Sequence, residues 1–132
     1  MSTPSTDRRT SVVTDLAPPP AGHYSQAIIA GGLVWIAGQT PRCPSGERLN
    51  DRPFEAQARQ ALANVAAIAA TAGTSLQHAA QVTVYLKDIA DRFAFDKVWT
   101  EFVTAPYPAR AVVQSELPGF AIEILAVCVG PA

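Results

Sequence analysis

The sequence predicts a single α+β domain in which two helices cover one face of a β-sheet, and three observations carry that prediction. Two apolar runs are joined by a glycine pair, two longer segments repeat their apolar residues at helical spacing, and a further segment alternates with the two-residue period of a strand. In order, the elements read strands, helix, strand, helix, two strands, which favours helices gathered on one side of a sheet. With 132 residues and 48% hydrophobic content there is material for one core. A chain of this size buries roughly two thirds of its unfolded surface and needs neither metal nor disulfide to fold.

Residues 1–9 are rich in Ser, Thr, Pro and Arg and lack the apolar content that offsets the entropy of ordering, so a disordered tail is expected ahead of a domain spanning 10–132. Thr10 to Leu16 has β-branched content and reads as a short strand, ended by Ala17-Pro18-Pro19-Pro20, where proline removes backbone donors. Ala27 to Ala30 and Leu33 to Ala37 flank Gly31-Gly32, which supplies the positive φ angles of a tight hairpin. After the loop Pro41-Arg42-Cys43-Pro44-Ser45-Gly46, Asp51 and Pro53 signal a helix start. Its apolar face is Phe54, Ala58, Ala61, Leu62, Val65, Ile68, Ala69 and Ala72, and Gly73 stands where the helix end wants a left-handed residue.

From Gln81 to Lys87 the residues alternate, with Val82, Val84 and Leu86 on one side. A second helix is predicted from near Asp91, carrying Phe95, Val98, Trp99 and Phe102 until Pro106 and Pro108 end it. Two strands close the chain. In the last, Ile122, Ile124, Ala126 and Cys128 line one face while Leu125, Val127 and Val129 line the other, so both faces are expected to be buried. A single helix layer covers one side only, and the other side therefore calls for a partner chain.

Composition excludes several functions. Ten Lys and Arg against eleven Asp and Glu give a net charge of -1, which leaves no electrostatic footprint for a nucleic-acid backbone. Cys43 and Cys128 show no paired spacing, so neither a disulfide framework nor a metal site is expected, and a reducing cytoplasm fits. The start carries Arg8 and Arg9 without a signal-peptide apolar region, and no run is long enough to cross a bilayer. His23 and His78 lie apart from both cysteines, and there is no nucleophile elbow or phosphate-cradling loop. What remains is charge inside apolar strands. Glu123 sits among Leu125, Val127 and Val129, and Arg110 shares a face with Val112 and Gln114. If these last two strands pair about the Leu117-Pro118-Gly119 loop with residues 112 and 123 opposed, Arg110 and Glu123 become diagonal neighbours at roughly 7 to 8 Å. A guanidinium and an acid at that spacing could hold a small anion and a water.

The chain resembles the RidA/YjgF family from about Thr10 to Val129. The matching stretches are Tyr24-Ser25-Gln26-Ala27, Ala37-Gly38-Gln39-Thr40-Pro41, Gln57-Ala58-Arg59-Gln60-Ala61-Leu62 with Asn64-Val65, Val82-Thr83-Val84-Tyr85-Leu86-Lys87-Asp88, Pro108-Ala109-Arg110 and Ile122-Glu123-Ile124. That resemblance implies a chorismate-mutase-like α+β fold with a mixed sheet, assembled as a homotrimer with pockets between subunits. It also implies hydrolysis of reactive enamines and imines such as 2-aminoacrylate to 2-oxo acids and ammonia, with no metal or organic cofactor and no nucleic-acid or membrane partner. By the same resemblance Arg110 grips the substrate carboxylate, Glu123 stands near the water, Tyr24 borders the pocket and the backbone around Gly38 lines it. Departures from the family pattern fall at His23, Ala37, Asp96 and Val112, and the turn between Arg110 and Glu123 is shorter. They motivate one alternative, a pathway-specific enzyme acting on a larger carboxylate substrate in the same cleft; another is a trimer that binds metabolites or proteins without catalysis, because a fold can present clefts without chemistry. Some family members carry an endoribonuclease label, for which the near-neutral charge offers no support.

Overall fold

The computed structural model describes residues 6–131. Among them six strands form one mixed sheet: β1 (Thr10–Val12), β2 (Ala27–Ala30), β3 (Leu33–Gln39), β4 (Ala79–Leu86), β5 (Ala109–Gln114) and β6 (Ile122–Val129). Two α-helices, α1 (Phe54–Thr71) and α2 (Arg92–Trp99), pack on one of its faces. The predicted α+β class with helices on one side is therefore the observed one. Within the expected tail, residues 1–5 lie outside the described residues; residues 6–9 carry no regular structure, and Arg9 pairs with Asp7 at 2.9 Å.

The β2–β3 hairpin turns on Gly31 and Gly32, at φ of 62° and 75°, the paired positive values that match the twist of the strands on either side. The end of α1 is equally local in origin. Gly73 adopts φ 85°, its N–H returns to the Ala70 carbonyl, and the Thr74 N–H returns to Ala69, which satisfies carbonyls the helix would otherwise leave open. At the other end, Pro53 precedes the first helical residue and no side chain caps it, so Asp51 is not the cap. The predicted apolar stripe of α1 is buried from Ala58 to Ala72, with Phe54 packed at its edge.

Three expectations are corrected. Only Thr10–Val12 of the predicted first strand pairs; beyond it the chain is held by a side chain instead, as Gln26 Oε1 accepts from the Thr14 N–H at 2.8 Å and Gln26 Nε2 donates to the Thr14 and Pro18 carbonyls, each at 3.0 Å. Helix α2 ends at Trp99 rather than running to the prolines, because isolated turns take over: Thr100 Oγ1 bonds back to the Lys97 carbonyl at 2.8 Å, and Val103 still reaches Trp99. The third correction bears on function. β5 and β6 are not neighbours, since the sheet order is β1-β2-β3-β6-β4-β5 and β4 lies between them.

The reason is the crossover. Helix α2 carries the chain back over the sheet so that β5 lies parallel to β4 at the free edge, with Val82 opposite Arg110 and Val84 opposite Val112. β6 then runs antiparallel to both β3 and β4 in the middle of the sheet. A strand apolar on both sides suits that central place. Its helix-side residues Ile122, Ile124, Ala126 and Cys128 are buried, whereas Leu125 and Val127 are half-buried and Val129 is exposed. The second face expected to be buried is thus open in the single chain.

Candidate functional site

Position in the register assigns each charged side chain to a face. Paired residues on adjacent strands project to the same side of a sheet. Arg110 is level with Val82 and, one strand further, with Ala126, both buried in the helix-side core. Glu123 is level with Tyr85, which is level in turn with Val113, all on the open side. Two strand spacings across and three residues along put the Cα atoms of Arg110 and Glu123 roughly 14 Å apart, on opposite faces. The diagonal contact expected from an antiparallel β5–β6 pair is therefore absent within one chain.

Arg110 lies against α2. Its guanidinium carbon stands 5.4 Å from the ring centre of Phe95 and 5.5 Å from that of Trp99, and its Nη1 donates to Asp96 Oδ1 at 2.8 Å. Buried Phe95 and Trp99 anchor one flank of α2, so the planar cation rests on aromatic faces while the charge stays at the surface. With Asp96, Trp99, Thr100, Tyr107 and Pro108 it lines a depression of about 410 Å³. Of these, Trp99, Thr100 and Tyr107 carry no motif in the sequence; the available signal was spacing, Trp99 three residues after Asp96 on a helix and Tyr107 three residues before Arg110.

Glu123 stands at an irregularity of β3. Between the pairs Ile36 with Ala126 and Gln39 with Ile124, two residues, Ala37 and Gly38, oppose the single residue Leu125, which is a β-bulge. The Glu123 carboxylate occupies the space a side chain at Gly38 would need: a Cβ built there would overlap the carboxylate and stand 3.1 Å from its Cδ. A side chain at 38 would therefore displace the half-buried carboxylate above it. Among the described residues Glu123 has no ion pair and no side-chain hydrogen bond, and its carboxylate oxygens reach solvent.

Gly38 also lines a second, smaller depression of about 130 Å³ together with Tyr24, Gln39, Thr40, Arg42 and Arg48. Tyr24 is half-exposed, and its hydroxyl accepts from the Ala21 N–H at 3.1 Å. Arg42 donates to the Pro19 carbonyl and pairs through its backbone with Arg48. Neither arginine has an acidic partner among the described residues. The two arginines were not expected at the site; only their strand-like opposition around Ser45-Gly46 could have signalled it.

The structure thus groups Tyr24, Gly38 and Glu123 in one region and Arg110 with Asp96 in another. His23 is exposed and lines neither depression; Val112 packs on the core beside Val84; Ala37 donates its N–H to the Gln26 carbonyl at 2.9 Å. The loops that carry the first group are held by buried amides of α1. Asn64 Nδ2 donates to the carbonyls of Thr40 at 3.3 Å and Arg42 at 2.8 Å. Gln57 Nε2 donates to Arg52 O, and Gln57 Oε1 accepts from the Ala121 N–H, each at 2.9 Å, just ahead of Glu123. No group of three or more His, Cys, Asp or Glu able to hold a metal is found among the described residues, and no helix among them is long and apolar enough to cross a membrane.

Comparison with known proteins gives a consistent result. The family model described as Endoribonuclease L-PSP matches residues 14–129. A RutC family protein of Pyrococcus horikoshii is 43% identical over 108 residues, covering 81% of this chain and 86% of that protein. A protein of Capra hircus named 2-iminobutanoate/2-iminopropanoate deaminase is 35% identical over 126 residues, covering 93% of this chain and 92% of its own length. Among solved structures, RidA from an Antarctic Psychrobacter superposes with a TM-score of 0.85 at 36% identity, over 91% of this chain and 98% of the other.

Proposed function

The chain belongs to the RidA/YjgF family, and we propose that it hydrolyses reactive enamines and imines of the 2-aminoacrylate kind to 2-oxo acids and ammonia, in clefts completed between the copies of a homotrimer. The observation that carries this reading is the division of charge between the two faces. Arg110 lies beside a depression at the free edge strand, and Glu123 waits without a partner on the open face. Side chains on opposite faces of one sheet can act on one small molecule only when a neighbouring chain brings its open face to the edge of the first. Exposed Trp35, Val113 and Val129 on that face supply the apolar surface such an assembly would bury.

In the mechanism, Arg110 holds the substrate carboxylate with its donor fork, already oriented by Phe95 and Trp99. The enamine, CH2=C(NH2)–COO⁻, takes a proton at its terminal carbon and becomes the protonated imine. Water held by Glu123 adds to the imine carbon: the new C–O bond forms as the C=N π pair moves onto nitrogen, and Glu123 accepts the water's proton. That proton passes to the nitrogen, the C–N bond breaks with its electron pair leaving on ammonia, an oxygen lone pair closes the carbonyl, and the remaining hydroxyl proton returns to Glu123, leaving the 2-oxo acid. Positioning and electrostatics do most of the work, because such imines already hydrolyse in water.

The test generates 2-aminoacrylate in place with a serine dehydratase and follows keto-acid formation against a trapping nucleophile. The wild-type chain should accelerate it, and Arg110→Ala and Arg110→Lys should each lose roughly 10- to 100-fold, because neither restores a bidentate grip on a carboxylate. A wild-type rate equal to that without protein would overturn the reading. One observation favours the second reading, a larger substrate with another anionic group: Arg42 and Arg48 line the Tyr24 depression without acidic partners. Glu replacements there would then spare 2-aminoacrylate turnover while weakening the larger substrate.

A further inference from the structure

The Arg110 guanidinium is not a bare anion grip. One of its donors is already given to Asp96 at 2.8 Å, in a pair whose side chains are 25% exposed at the arginine and 57% at the aspartate. Both line the same depression. Asp96 follows Phe95 directly in α2, so the burial that anchors Phe95 and Trp99 also fixes where the carboxylate stands. We propose that Asp96 turns this depression into a paired-charge site, selecting ligands that carry a cationic nitrogen on the carbon next to their carboxylate: Arg110 holds the carboxylate and Asp96 accepts a hydrogen bond from the nitrogen. The inference rests on the reading of Arg110 as the substrate grip.

The argument is one of charge and geometry. A lone arginine offers a net positive charge and five N–H donors to any monoanion. With Asp96 in place the pair is neutral, one donor is engaged, and an incoming carboxylate meets a like charge beside the cation it seeks. A simple anion is therefore penalised. An α-amino or protonated α-imino acid is not, because its own cation lies beside its carboxylate, with nitrogen and nearest oxygen within ~3 Å of each other by ordinary bond lengths. That separation matches the 2.8 Å between the charges of the pair. For the proposed reaction the consequence is selective in a useful direction: the zwitterionic iminium substrate is favoured over the 2-oxo acid product, which carries the carboxylate without the cation. A carboxylate beside the nitrogen also favours its protonated form, the form that accepts water.

The experiment compares two ligands that differ at one atom, 2-aminobutanoate and 2-hydroxybutanoate, by titration calorimetry with the full chain. Wild type should bind the amino acid about tenfold more tightly than the hydroxy acid. In Asp96→Asn that preference should vanish or reverse, with the hydroxy acid gaining several-fold as its competitor for the guanidinium loses its charge. Arg110→Ala should lose both ligands. An unchanged ratio in Asp96→Asn, equal weakening of both ligands, or a wild type that binds neither overturns the proposal. The keto-acid assay decides the deaminase reading separately. A chain that discriminates the two ligands but does not speed deamination keeps the role of Asp96 and discards the reaction, and a chain that deaminates with an unchanged ligand ratio does the reverse.

Discussion

On the helix side of the sheet Val34, Val82, Val84, Ile124 and Ala126 are sealed under α1 and α2, whereas on the other side Trp35, Val113 and Val129 remain 48%, 43% and 54% exposed. Polar groups differ in the same way. Gln57 and Asn64 of α1 are buried and both are hydrogen-bonded to backbone, while Glu123 on the open side has no partner among the described residues. One face is complete in a single chain and specifies the fold. The other keeps an apolar surface and an unmatched acid, the two properties that a partner subunit and a ligand would each satisfy.

Substitutions on the two sides should therefore have different consequences. The largest loss of stability is expected from Leu62→Ala under α1, about 2 to 5 kcal/mol by denaturant titration, because a fully buried side chain leaves a cavity that cannot collapse. Trp35→Glu on the open side should leave far-UV circular dichroism unchanged but weaken self-association by about tenfold or more in sedimentation; a variant that assembles like the parent would break the comparison. Gly38→Ala brings a methyl into the Glu123 carboxylate and should cost about 1 to 3 kcal/mol. It should also reduce turnover, because the carboxylate it displaces is the proposed water-holding group.

An effect of the same size is expected at Gln57→Leu, about 1 to 3 kcal/mol from carbonyls of the Asn50–Arg52 loop and the Ala121 N–H left without their partner, together with a disproportionate loss of activity because that N–H lies two residues before Glu123. The smallest concerns the thiols. Burial pushes the Cys128 thiol up to about 11, above its value of about 8.5 in an unfolded chain. The thiol is neutral in both states below the lower value, so its contribution is intact there and is lost as pH rises toward the upper one. Alkaline unfolding of the wild type should show this limb and Cys128→Ala should flatten it, while at neutral pH an alkylating agent should label half-exposed Cys43 well ahead of Cys128.

Local chemistry is what could be read without coordinates. The glycine hairpin, the stripe of α1 with its Gly73 terminus, the alternation of β4 and the two-faced character of β6 each depend on residues within one turn or one strand, and each is found where the spacing put it. Even the central place of β6 had its signal in a strand apolar on both sides. The buried amides did not announce themselves, because Gln57 and Asn64 look like surface residues until the loops they hold are in view.

The candidate site divides along the same line. Which residues carry charge in apolar strands, Arg110 and Glu123, was legible as soon as the strands were. Which face each of them takes was not, since a crossover helix places β5 beside β4 and admits β6 on the far side of it, and no local pattern encodes which strand pairs with which. The amino-acid sequence by itself determined the elements, the core stripe and the identity of the charged side chains, because those follow from periodicity and solvation of single segments. Only the tertiary structure decided that Arg110 meets Asp96 and Glu123 meets Gly38, because non-local strand order and a bulge in β3 settle who stands next to whom.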